Sequence, residues 1–223
     1  MSSSLSKQAP DVDLVVFDLD GTLVDSREDI AAAIGFGIKQ VSGPEVPKEE
    51  IFPLIGRPLV EMFEQLLPNI MKDRAQEAAQ AYRKNYFEHC TDRSRLYPGV
   101  MECLKQLEGI PLAIATTKMT FMAVQVIEKL NLSNRFALVH GSDGIPHKPD
   151  PTVLRQVLDK LGFDANKSWM IGDTVYDIQA AKAIGMHTCA VTYGIGNAND
   201  LHAQKPKLVL DTLAHFKHKL FQC

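Results

Sequence analysis

Two pairs of aspartates stand where an apolar segment stops and a polar turn begins. The run Val15-Val16-Phe17-Asp18-Leu19-Asp20-Gly21-Thr22 puts two carboxylates two residues apart, and the period-2 geometry of a strand sends i and i+2 to the same side. Gly21 then permits a tight turn. Asp18 and Asp20 could be simple turn formers, but a turn needs no acid at the last residue of a buried strand, where an unpaired charge is expensive. The run Ile171-Gly172-Asp173-Thr174-Val175-Tyr176-Asp177 repeats the arrangement, with Asp173 and Asp177 four apart on one face of a helix start. An N-cap at Asp173 and a first-turn acid at Asp177 would explain each alone, though not their coincidence with the first pair.

Lys148 lies in His147-Lys148-Pro149-Asp150-Pro151. Here Pro149 keeps Lys148 extended, Asp150 caps a helix and Pro151 takes its first position. A cation just before a helix N-terminus faces the positive end of the dipole, which is unfavourable unless an anion lies between them. Lys148 therefore reads as a phosphate ligand that also offsets a carboxylate. Thr116 ends the apolar run Leu112 to Thr116 and is followed by Thr117 and Lys118; its place at a strand end beside the acids makes Thr116, with Thr117 next to it, a candidate for substrate binding. At an effective dielectric of 20, two unit charges about 4 Å apart repel by roughly 4 kcal/mol, so these acids cannot surround a phosphate without a cation. Ligands that are all oxygen select Mg²⁺ over zinc.

The elements that position these residues follow from the apolar runs at Leu14 to Leu19, Leu112 to Thr116, Ala137 to Val139, Trp169 to Ile171, Thr188 to Thr192 and Leu208 to Leu210. Helical patterns fill most of the intervals, and such alternation implies an α/β fold: a Rossmann-like parallel sheet covered by helices. If Asp18, Thr116 and Asp173 converge on one phosphate, their strands are neighbours with the Asp18 strand in the middle. The first crossover is anomalous. Roughly 100 residues separate Asp18 from Thr116, whereas a complete βαβ unit needs only about 30. Residues 27–93 contain helix-like segments at Ile30 to Val41, Glu49 to Leu54, Leu59 to Leu67 and Asp73 to Glu88, and no convincing strand. They are expected to form a helical cap on a core of residues 11–26 and 94–223. The turn Gly56-Arg57-Pro58-Leu59 is the part of this cap expected to reach the site, and Arg57, its only cation, would fork onto a carboxylate or second anion of the substrate.

The chain has 223 residues, 24 Lys and Arg against 27 Asp and Glu, and a net charge of −3. That balance argues against nucleic acid or an anionic membrane as partner and leaves a small polar ligand. Cys90, Cys103, Cys189 and Cys223 show no metal-type spacing, a pattern that fits a reducing cytoplasm. No run has the roughly 18 apolar residues of a membrane span. Met1 to Pro10 is polar and Ser-rich and reads as a disordered tail. The histidines have no clustered spacing and receive no role.

DLDGT at Asp18 to Thr22, the strand-end Thr116, Lys148 and GDxxxD at Gly172 to Asp177 resemble, in order and approximate spacing, the haloacid dehalogenase superfamily of phosphohydrolases. DLDGTLVDS together with KPDP is most similar to the phosphoglycolate phosphatase branch, which carries a helical cap after the first motif. The resemblance implies Asp18 as nucleophile, Asp20 as general acid and base held protonated by its surroundings, and Thr116 and Lys148 as phosphate ligands. It places Asp18, Asp173, Asp177 and the Asp20 carbonyl around Mg²⁺. Asp20 is present where dehalogenases and phosphonate hydrolases lack an acid, and Thr22 stands where sugar phosphomutases tend to carry Val. The expected activity is hydrolysis of a small phosphorylated metabolite, phosphoglycolate first, by a monomer or homodimer. A β-phosphoglucomutase-like sugar phosphomutase, a phosphatase for a nucleotide or pyrophosphate, and a non-catalytic phosphate-binding scaffold are the alternatives.

Overall fold

The computed structural model describes residues 12–220; the tail expected at Met1 to Pro10 lies outside them. Eight strands are β1 (Leu14–Phe17), β2 (Val24–Asp25), β3 (Arg95–Leu96), β4 (Leu112–Ala115), β5 (Leu138–His140), β6 (Ser168–Gly172), β7 (His187–Val191) and β8 (Leu208–Leu210). Six of them form one parallel sheet in the order β5-β4-β1-β6-β7-β8. β1 therefore lies between the strands that lead to Thr116 and Asp173, as convergence on one ligand requires. Every residue of β1, β4 and β6 is buried, the signature of parallel strands covered on both faces and the reason they read as continuous apolar runs. Along β1, Val15 and Phe17 pack into one apolar cluster and Leu14 and Val16 into another, as alternation across a pleated strand dictates.

Ten helices accompany the strands among the described residues: α1 (Arg27–Gln40), α2 (Lys48–Ile51), α3 (Leu59–Leu66), α4 (Ala75–His89), α5 (Val100–Gln106), α6 (Thr120–Lys129), α7 (Thr152–Leu161), α8 (Val175–Lys182), α9 (Ala198–Ala203) and α10 (Phe216–Leu220). α1 to α4 form the helical cap inserted after the first strand. Short 3₁₀ turns at Phe52–Leu54 and Asn69–Arg74 extend α2 and precede α4. Ala33, Ile34 and Gly37 on α1 are buried along with Ala78, Ala79 and Tyr82 on α4. The small residues let these helices approach so closely that a Cβ on Gly37 would collide with the Phe63 ring and the Ala78 carbonyl.

One feature of the insert escapes the sequence pattern. β2 and β3 pair antiparallel, Val24 opposite Leu96 and Asp25 opposite Arg95, so the chain enters and leaves the helical layer through a two-stranded ribbon. Two residues are too few for a period-2 signal. The junction is tightened by Asp29, buried on α1, which accepts from the Arg93 and Ser94 N–H groups and from Ser94 Oγ at 2.6 to 3.1 Å.

Candidate active site

Asp18 follows β1 directly, and its N–H donates to the Ile171 carbonyl at 2.9 Å, so the ladder to β6 fixes its backbone. Its carboxylate meets Lys148, whose Nζ lies 2.8 Å from Asp18 Oδ1, 2.5 Å from Asp177 Oδ1 and 3.0 Å from the Ala115 carbonyl oxygen. All three ammonium protons are thereby used. Burial opposes the Lys148 charge, but Asp177 and Asp18 outweigh it and hold the ammonium's pKa above its ordinary value. The loop bearing Lys148 is fixed downstream by Asp150, which accepts from Thr152 N and Oγ1 at 2.9 and 2.5 Å.

Asp173 follows β6 and is fully buried. Its carboxylate accepts from Thr22 Oγ1 at 2.9 Å and from the Ile195 N–H at 2.8 Å. Thr22 is therefore the group that orients Asp173, a contact a valine could not make. Gly21 has φ +89, and a Cβ there would collide with the Asp173 carboxylate, so this turn admits only glycine without strain. The N-cap of α8 is Thr174 rather than Asp173, which lies between the end of β6 and the cap. Asp177 closes the capping box, its Oδ2 accepting from Thr174 N and Oγ1 at 3.0 and 2.7 Å. One carboxylate thus caps a helix and presents its other oxygen to Lys148.

Oxygens of Asp18, Asp173 and Asp177 lie within 4.8 Å of one another. Burial pushes the Asp18 carboxyl up to about 8, with Asp177 and Asp173 adding to the shift and Lys148 opposing it. Burial and then Asp177 push Asp173 up to about 7, against the donors that face it. Three acids crowded in a dry pocket favour protons unless a cation takes their place, so the donor set fits a hard divalent ion.

Asp20 stands apart from this triad. Its carboxylate accepts from Ser26 Oγ at 2.5 Å and pairs with Lys118 Nζ at 3.1 Å. Lys118 also donates to Tyr86 Oη at 2.7 Å and lies 4.1 Å from the centre of that ring. It joins the β4 end of the core to α4 of the cap. Sequence reasoning gave neither Lys118 nor Tyr86 a role; the one signal was the position of Lys118 two residues after Thr116.

Thr116 is buried, with its Oγ1 accepting from the Lys118 N–H at 3.2 Å. Thr117 lines a cavity of about 410 Å³ between core and cap, whose wall also includes Asp20, Lys118, Arg57, Arg83 and Ser142. Arg57 is exposed at its edge and donates to Gln65 Oε1 at 3.2 Å. The structure thus brings Asp18, Lys148, Asp173 and Asp177 into one cluster beyond the strand ends, with Asp20, Thr117 and Arg57 on the adjoining cavity.

A parallel α/β sheet with acids at the ends of two adjacent strands, beneath a helical insert, defines a class of hydrolase cores. The model of the haloacid dehalogenase-like hydrolases matches residues 15–191, and the chain belongs to that family. It is 36% identical over 207 residues to a probable phosphatase of Dickeya dadantii, covering 90% of each chain. It is 34% identical to a phosphoglycolate phosphatase of Neisseria meningitidis, covering 94% of each. The solved structure of a haloacid dehalogenase-like hydrolase from Streptococcus pneumoniae superposes with a TM-score of 0.85 at 30% identity, over 94% of this chain and 98% of that one.

Proposed function

We propose that the protein is a Mg²⁺-dependent phosphomonoesterase that works through a phosphoryl group carried on Asp18. The observation that carries this reading is Asp18 itself, a strand-end carboxylate 2.8 Å from a buried lysine and beside two further acids. Asp18, Asp173, Asp177 and the Asp20 carbonyl would hold the cation, which when bound supplies charge neutralisation between carboxylate and phosphate. Asp18 attacks phosphorus in line. Lys148, with Thr116 and Thr117, steadies the phosphoryl oxygens and their growing charge. Asp20, beside Ser26 and Lys118 on the cavity wall, gives a proton to the departing alkoxide and takes one from the water that cleaves the acyl phosphate.

Residues 27–93 serve as the cap and residues 11–26 and 94–223 as the catalytic core, with Arg57 turning toward an anionic leaving group. Phosphoglycolate is the leading substrate, supported by the names of the relatives and the cations on the cavity wall. Cys90 and Cys103 are free and buried, in keeping with work in a reducing cytoplasm, and no helix among the described residues is long and apolar enough to cross a membrane. The test is phosphate release with Mg²⁺ from phosphoglycolate, sugar phosphates, nucleoside monophosphates and pyrophosphate, with and without a sugar bisphosphate. Turnover of phosphoglycolate ahead of the others, with no need of the bisphosphate, is expected; isomerisation dependent on a bisphosphate would replace the hydrolase by a phosphomutase.

A further inference from the structure

The cavity between core and cap carries three cations, and they differ in what satisfies them. Lys118 is paired with Asp20 and Tyr86. Arg57, at the rim, is bonded to the neutral Gln65. Arg83, on α4, lines the same cavity and is half-buried, and no hydrogen bond or ion pair to its guanidinium is found among the described residues. Its neighbours on the helix do not serve it, because Tyr82 and Tyr86 stack on one another with centroids 5.2 Å apart, and the Tyr86 hydroxyl is taken by Lys118. Two acids on the wall are engaged elsewhere, Asp20 with Lys118 and Asp143 with Thr120 N and Oγ1, and the third, Glu61, is exposed and makes no hydrogen bond or ion pair with Arg83.

A partly desolvated guanidinium with five donors and no acceptor is costly in the free protein, and the cost is recovered when a planar anion enters. The Asp18 end of the site already has its own cation in Lys148. A second positive group across the cavity therefore answers a second negative group, on the part of the substrate that leaves. On the reading of the protein as a phosphomonoesterase, we infer that Arg83 is a specificity-determining residue that binds an anionic group, a carboxylate, on the leaving group, so that the substrates are phosphate esters of hydroxy acids rather than of neutral alcohols or sugars.

Two matched pairs test this, each differing by one carboxylate: phosphoglycolate against ethyl phosphate, and carboxyphenyl phosphates against phenyl phosphate. Arg83→Ala is expected to lower kcat/KM for the carboxylate-bearing member of each pair by about 10- to 100-fold, the size of a lost charge-assisted hydrogen bond. The loss should fall mainly in KM, with the neutral member changed less than threefold. Arg83→Lys, which keeps the charge and loses the fork, should fall between. Equal losses on both members would make Arg83 a residue of cap packing, and no loss on either would make it surface; both overturn the assignment. A wild-type enzyme that cleaves the neutral esters as well as the acidic ones overturns it while leaving the phosphatase reading intact. A wild type that cleaves none of the four overturns both.

Discussion

Replacement of Lys148 by methionine isolates the electrostatic centre of the site. The side chain is about the same length and its pocket is 2% exposed, so packing is largely kept while three hydrogen bonds and one positive charge disappear. Removing one partner of a buried ion pair costs about 3 to 5 kcal/mol, because the other charge is left unpaired. Two acids lose their partner here, but Asp18, already pushed up to about 8, can take a proton instead of standing charged, which draws the expected loss toward the lower end, about 3 kcal/mol. Most of that loss belongs to Asp177, whose other oxygen is committed to the α8 cap. The assay is urea unfolding in excess chelator at pH 7, read as a change in midpoint at constant slope. Lys148→Met with Asp177→Asn should then be more stable than the sum of the single losses, by about 1 to 3 kcal/mol of coupling. A Lys148→Met protein within 1 kcal/mol of wild type, or strictly additive losses, would refute the view that Lys148 holds these acids together.

Three further outcomes follow from the same geometry. Asp173 has a folded pKa raised from 3.8 to about 7, so its contribution is present in full below pH 3.8 and is lost as pH rises through about 7. In chelator, wild type should therefore lose stability relative to Asp173→Asn between roughly pH 4 and 7, and parallel stability curves for the two proteins would contradict this. Asp20→Asn should slow both formation and breakdown of the phosphoenzyme by about 10²- to 10⁴-fold in single-turnover assays, since one residue serves as acid and then base; wild-type rates for both steps would remove Asp20 from the chemistry. Arg57→Ala should cost about 2 to 3 kcal/mol in kcat/KM on acidic substrates and little on an aryl phosphate; no loss on either would leave Arg57 a rim residue bonded to Gln65.

The parts of the site legible in the sequence are those where a strand end forces an unusual residue type. Asp18 and Asp173 were visible because burial at the end of a run such as Leu14–Phe17 makes an acid conspicuous, and the placement of β1 between β4 and β6 followed from their convergence. Lys148 was visible because two prolines and an aspartate accounted for everything around it. Helix starts were placed within three residues: α1 begins at Arg27 rather than Ile30, α7 at Thr152 after Pro151, and Thr174 rather than Asp173 caps α8. What stayed illegible depends on side chains meeting across the chain. Lys118 reaches Tyr86 over 32 positions, and Arg83 lies inside the helix-like segment Asp73 to Glu88, where nothing in the local pattern singles it out. The ribbon of β2 and β3 carries no periodicity to detect, because its pairing is made by the cap returning to its point of departure.

The central claim is that Asp18 carries the phosphoryl group, and steady-state phosphate release by Asp18→Asn tests it most directly. The amide is nearly isosteric and still accepts from Lys148 through its oxygen, so the fold should be kept while the nucleophile is lost. The account expects turnover to fall by about 10⁴-fold or more, the scale on which removal of a covalent nucleophile acts, with an unchanged circular dichroism spectrum. An Asp18→Asn protein that folds normally and still releases phosphate at a rate near that of wild type would contradict it.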